Sequence, residues 1–96
     1  MIEVLVVYDV RTDDPEGQRR LRAVAKLCEG IGQRVQYSVF EVRCSEAQLI
    51  ELKAKLRSTI LSRDSIRIYP LHRGTLEKVQ HLGKQPPPPL PDAVIL

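Results

Sequence analysis

The chain has 96 residues, 43% of them hydrophobic, with a formal net charge of +3 and a sequence pI near 9.1. That length makes one domain with a single core, small enough for oligomerisation to be a natural supplement, and the mild basic excess permits a polyanionic partner without demanding one. No apolar run approaches the ~20 residues of a membrane span, and the N-terminus opens straight into a strand with no charged leader, so the expectation is a cytoplasmic protein with no membrane partner.

Val4-Leu5-Val6-Val7-Tyr8-Asp9-Val10 reads as a first strand, a β-branched run closing on an ionisable side chain. A charge is expensive to bury unless paired, so Asp9 meets either water or a cation, and a carboxylate at the carboxyl end of a central strand is a candidate metal ligand. The competing reading is a turn starter, because Arg11-Thr12-Asp13-Asp14-Pro15 follows directly. A first helix is expected from an Asp14 cap with Pro15 at the first helical position, where a missing N–H does no harm. Leu21, Val24, Ala25 and Cys28 recur at i, i+3, i+4 and i+7 and define its apolar face. Arg19, Arg22 and Lys26 project from the opposite face, with Arg20 on a flank. Gly30 and Gly32 are expected to end the helix through a left-handed turn.

Arg34 to Arg43 alternates loosely and is rich in Val, Tyr and Phe, which predicts a second strand. Ser45 and Gln48 form a capping box for a second helix with Leu49, Leu52, Leu56 and Ile60 as its stripe. Ser65 to Leu71 is a third strand, with Pro70 marking its end, and a weaker strand is expected over residues 75 to 82. Cys28 and Cys44 have neither metal-site spacing nor the density of a secreted scaffold and read as small buried hydrophobes.

The elements thus run strand, helix, strand, helix, strand, strand, tail. The fold they fit in under ninety residues is an α+β ferredoxin-like split unit, βαββαβ, with an antiparallel sheet and both helices on one face. It would occupy residues 1–82, leaving 83–96 as a linker and an extra C-terminal strand. In the first strand Leu5, Val7 and Asp9 share one face and Val4, Val6 and Tyr8 the other, and both are apolar. Two helices cover only one, so the second calls for a face-to-face homodimer. Two copies of Asp9 would then converge and repel unless a divalent cation bridges them or one is protonated. Gln85 to Pro91 should run as an extended polyproline segment at ~3 Å per residue, roughly 20 Å in all. Asp92-Ala93-Val94-Ile95-Leu96 could then add an edge strand to the partner's sheet, the alternatives being a frayed tail or a proline-rich docking motif.

Val6-Val7-Tyr8-Asp9-Val10, the glycine-rich helix end and Arg34-Val35-Gln36-Tyr37-Ser38-Val39-Phe40-Glu41 together resemble the second CRISPR-associated core protein family, the small partners of the spacer-acquisition integrase. The resemblance runs from residue 1 to about 82, and the tail is similar to that family's C-terminal strand. It implies that Asp9 holds Mg2+ or Mn2+ between two subunits, with Tyr8 as its neighbour. It further implies that Arg20 and Arg22 lie near a nucleic-acid backbone and that Arg34 and Phe40 are linked to nuclease function. Arg19 and Lys26 join Arg20 and Arg22 as the basic cluster for nucleic acid. The plainer readings are core or interface aromatics and solvated helix-face charges.

Phosphodiester hydrolysis needs an acidified water and neutralisation of charge on the phosphate oxygens, and one divalent ion helps with both. Arginines complement phosphate without reading sequence. No histidine accompanies Asp9; His72 and His81 fall in the third and fourth strand regions and read as surface or loop residues. No Ser-His-Asp set, glycine-rich phosphate loop or Cys/His cluster is present. The expectation is a dimeric metal-dependent endonuclease for RNA or DNA that also bridges integrase subunits and binds duplex DNA. The alternatives are a non-catalytic DNA-binding adaptor and a related-fold toxin ribonuclease.

Overall fold

Alternation along the first strand, β1 (Ile2–Asp9), decides which side of the sheet becomes the core. In the computed structural model, which describes residues 1–84, Val4, Val6 and Tyr8 are buried, while Leu5 and Val7 are half-covered and Asp9 is exposed. The buried set packs with Val24, Ala25 and Cys28 of α1 (Pro15–Glu29) and Leu52 and Leu56 of α2 (Glu46–Thr59). Three more strands, β2 (Gly32–Gln36), β3 (Val39–Cys44) and β4 (Ser65–Leu71), complete the sheet in the order β2-β3-β1-β4, every pairing antiparallel. This is the ferredoxin-like α+β arrangement. The proposed C-terminal strand lies outside the described residues.

Two strand expectations are corrected, and together they produce the βαββαβ order. Residues 34–43 are not one strand but parts of a hairpin, β2 and β3, turning at Tyr37 and Ser38. No Gly, Pro, Asn or Asp marks that turn locally. It is held from outside: the Tyr8 N–H donates to Ser38 O at 3.0 Å and the Tyr8 hydroxyl to Tyr37 O at 3.3 Å. The strand expected over 75–82 is absent, replaced by a single 3₁₀ turn at Leu76–Lys78. Glu3 explains it, since its carboxylate accepts from Gly74 N and Leu76 N at 2.8 Å each. Backbone donors that a ladder would use are taken by a side chain, and those two bonds hold the Glu3 carboxyl below its ordinary pKa.

The helix starts follow the sequence closely. Asp14 caps α1, accepting from Gly17 N at 2.5 Å with Pro15 in the first turn, and Ser45 and Gln48 form the reciprocal capping box of α2. The expected left-handed helix end does not occur. Gly30 is right-handed (φ −70°, ψ −14°), and Gly32 is needed for closeness: a Cβ there would lie 2.6 Å from Val42 Cγ2 and 2.7 Å from Glu41 O. Pro70 sits within β4 opposite Val4, tolerated because β4 is an edge strand. Cys28 and Cys44 are free and fully buried, and burial pushes the Cys28 thiol up to about 12, leaving it unreactive at neutral pH. Among the described residues no helix is long and apolar enough to cross a membrane.

Candidate metal and nucleic-acid site

Asp9 closes β1, a central strand between β3 and β4, and its Cα partner is Ser65 at the start of β4. Its exposed carboxylate belongs to the sheet face that neither helix covers. Register fills in that face: Val7 pairs with Val39 and Arg67, and Leu5 with Glu41 and Tyr69. The Arg67 guanidinium lies over the Tyr69 ring, 5.3 Å from its centroid, a cation–π contact beside the Asp9 end of the strand. Sequence reasoning passed over Arg67, although the alternation Ser65-Ile66-Arg67-Ile68-Tyr69 carried the signal.

Tyr8, Arg34 and Phe40 are on the other side. Phe40 is directly opposite both Val6 and Arg34 in the ladders, so all three face the helices. The Tyr8 and Phe40 rings stack at 6.2 Å with 23° between planes, and the Arg34 guanidinium lies 5.1 Å from the Phe40 centroid. Glu29 approaches Arg34 at 4.0 Å, while Arg34 Nε is buried with no hydrogen-bond partner among the described residues. Burial raises the Tyr8 phenol above its ordinary pKa, against the pull of Arg34. Phe40 is 0% exposed and Tyr8 is buried, so within one chain both are core aromatics, the plainer of the two readings. The three pack together on the helix side of the sheet, with the Arg34 side chain 37% exposed at its edge.

Arg20 departs from the other basic residues of α1. It turns inward, 9% exposed, and its Nε donates to Asp64 Oδ2 at 2.8 Å while Nη2 donates to Asp64 Oδ1 at 3.4 Å and Arg11 O at 3.3 Å. The Asp64 side chain is fully covered and also accepts from Arg11 N at 3.0 Å and Leu61 N at 2.9 Å. Burial alone would raise its pKa, but the Arg20 bond, the two backbone donors and the Arg20 charge outweigh that and hold it down at about 2. Nothing in Ser62-Arg63-Asp64-Ser65 announced this role, which depends on a partner 44 residues away. Arg63 adds a bond to Asp14 at 2.6 Å and an approach to Asp13 at 3.9 Å. Arg19, Arg22 and Lys26 do stay on the exposed face of α1, Arg19 only loosely near Glu16 at 3.8 Å.

Among the described residues no group of three or more His, Cys, Asp or Glu side chains is placed to hold a metal ion. The candidate ligand in one chain is the exposed Asp9 carboxylate. That donor set fits Mg2+ or Mn2+ shared with a second carboxylate and waters, since such hard ions take oxygen ligands and Mg2+ keeps several waters. His72 follows β4 at the end where Leu71 pairs with Glu3, the far end from Asp9 and Ser65. His72 is therefore not placed to serve Asp9 as a base.

The family model for CRISPR associated protein Cas2 matches residues 1–79. The chain belongs to the Cas2 family. A relative from Rhodospirillum rubrum named CRISPR-associated endoribonuclease Cas2 3 is 47% identical over 94 residues, covering 97% of this chain and 99% of its own. One from Halalkalibacterium halodurans, named CRISPR-associated endonuclease Cas2, is 47% identical over 93 residues, covering 96% of this chain and 97% of its own. The fold matches the crystal structure of Streptococcus pyogenes Cas2 with a TM-score of 0.74 and 48% identity, over 84% of this chain and 99% of that one. A chain in a partial Cas6-RT-Cas1–Cas2 complex matches with a TM-score of 0.66 and 27% identity, over 90% and 96%.

Proposed function

We propose that this chain works in CRISPR spacer acquisition as a homodimer that cleaves RNA or DNA phosphodiesters at a Mg2+ or Mn2+ site formed by two Asp9 carboxylates. The observation that carries the reading is the exposed Asp9 carboxylate at the end of a central strand, on the sheet face no helix covers. When bound, the cation acidifies a water and neutralises charge on the phosphate oxygens. Asp9 holds it; Arg19, Arg22 and Lys26 grip the backbone without reading sequence. Tyr8, Arg34 and Phe40 pack on the covered face of the sheet and serve its stability. Leu5, Val7 and Val39 form the apolar part of the uncovered face, which a second copy would bury.

A second reading is a non-catalytic adaptor that binds duplex DNA and bridges integrase subunits. It is favoured by the match to a chain in a Cas1–Cas2 complex. The toxin alternative gains nothing from the family found. Cleavage of defined single- and double-stranded RNA and DNA, with and without Mg2+, separates the two. Wild type should cut only with metal, and Asp9→Asn should lose turnover while remaining dimeric, because it keeps the shape and removes the charge. If wild type never cuts yet binds duplex, the adaptor reading stands alone.

A further inference from the structure

We propose that the 61–64 turn is the positioning element for Asp9, and that Arg20 acts there, through Asp64, and not on nucleic acid. The proposal rests on the metal-site reading of Asp9 and names what keeps that carboxylate in place.

Asp9 is the last residue of β1, and residues 10–14 after it belong to no helix or strand. The sheet therefore fixes Asp9 from one side only. The other side is fixed by side chains. Both backbone groups of Arg11 are engaged by one ion pair, its N–H by Asp64 Oδ1 at 3.0 Å and its carbonyl by Arg20 Nη2 at 3.3 Å. Three residues on, the Asp14 cap is held by Arg63 at 2.6 Å. Gly17 lets the first turn of α1 close on the same segment, since a Cβ there would lie 2.1 Å from Arg11 O. Ser65, next in chain to Asp64, is the β4 partner of Asp9 itself. The turn thus reaches Asp9 twice, through the ladder and through the segment that follows it.

The same geometry removes Arg20 from the nucleic-acid surface. Turning its guanidinium out to a phosphate would leave the fully covered Asp64 carboxylate without its charge partner, a strongly unfavourable exchange. Helix α1 divides its cations accordingly, with Arg19, Arg22 and Lys26 outward and Arg20 inward.

The test uses the full chain and two readouts. Mn2+ binding is titrated by the EPR signal of the free ion for wild type, Asp9→Asn, Arg20→Gln, Asp64→Asn and the Arg20→Gln/Asp64→Asn double variant, each checked for folding by circular dichroism. Arg20→Gln and Asp64→Asn should each weaken Mn2+ binding ~10-fold, the scale seen for groups that orient a ligand without touching the metal. The double variant should be no weaker than either single. Duplex-DNA affinity against salt is then compared for Arg20→Gln and Arg22→Gln: the slope should be unchanged in the first and reduced by about one contact in the second. Arg20→Lys, which keeps the charge without the fork, should recover part of the Mn2+ affinity and serves if Arg20→Gln fails to fold. A reduced salt slope in Arg20→Gln, or wild-type Mn2+ binding in folded Arg20→Gln and Asp64→Asn when Asp9→Asn has lost it, overturns the proposal. If Asp9→Asn itself binds Mn2+ like wild type, the metal-site reading has failed and takes the positioning role with it.

Discussion

Phe40→Ala tests whether the aromatic stack is architecture or active site. The ring is 0% exposed, sits opposite Val6 and Arg34, and contacts both the Tyr8 ring and the Arg34 guanidinium. Truncating a buried Phe to Ala costs about 3–5 kcal/mol, of which the aromatic pair accounts for ~0.5–1.5. Against a total stability of roughly 5–15 kcal/mol that is a large fraction. At ~4–8 °C per kcal/mol for a domain of this size, even the lower figure lowers Tm by about 12–24 °C. Phe40→Leu keeps most of the volume and loses the ring contacts, so it should cost only ~1–2 kcal/mol. The assay is urea unfolding followed by circular dichroism at a fixed protein concentration, with Mn2+ titration at low temperature where each variant is folded. Both variants should bind Mn2+ like wild type once folded, because Phe40 and Asp9 are on opposite faces of the sheet. A Phe40→Leu protein of near-normal stability that has lost metal binding or cleavage more than ~10-fold would show that the ring serves the reaction directly and refute the face assignment.

Arg19→Ala, Arg22→Ala and Lys26→Ala should each weaken duplex binding uniformly across sequences and flatten its salt dependence by about one phosphate contact, as read by affinity titrations between ~50 and ~200 mM salt. Acid stability should carry the mark of Asp64. Its folded pKa, about 2, is below the ordinary 3.8, so its contribution is complete above the unfolded value and is lost as pH falls from about 4 towards 2. Asp14 and Glu3 are shifted in the same direction, Asp14 first by Arg63 and Glu3 first by Leu76 N–H, and Asp64→Asn should therefore soften the acid limb of the stability curve without abolishing it. Sedimentation at micromolar concentration should show a dimer, and deleting residues 92–96 should loosen it; a stable monomer in the intact chain, or no change on truncation, counts against the partner-strand reading of the tail.

Much of the site was legible because it depends on neighbours in sequence. Strand alternation already placed Asp9 and Tyr8 on opposite faces, and a helical period already put Arg19, Arg22 and Lys26 opposite Leu21, Val24, Ala25 and Cys28. What alternation could not do was place Arg34 and Phe40 relative to Asp9. That needed the register of β2 on β3 and of β3 on β1, which a turn at Tyr37 and Ser38 sets with only the weak local signal of one serine.

By itself, then, the sequence determined the strands β1 and β4, the caps at Asp14 and Ser45, the apolar faces of both helices and the family to which the chain is similar. These follow from dihedral preferences and periods of two and 3.6 residues, which act over a few positions. The tertiary structure alone decided that Arg20 turns inward to Asp64 across 44 residues, and that Glu3 takes the donors of Gly74 and Leu76 across 71 and 73, so that no strand forms there. In each case a buried charge had to find a partner wherever folding brought one, and a charge confined to a flank or a strand face carries no local sign of which partner that will be.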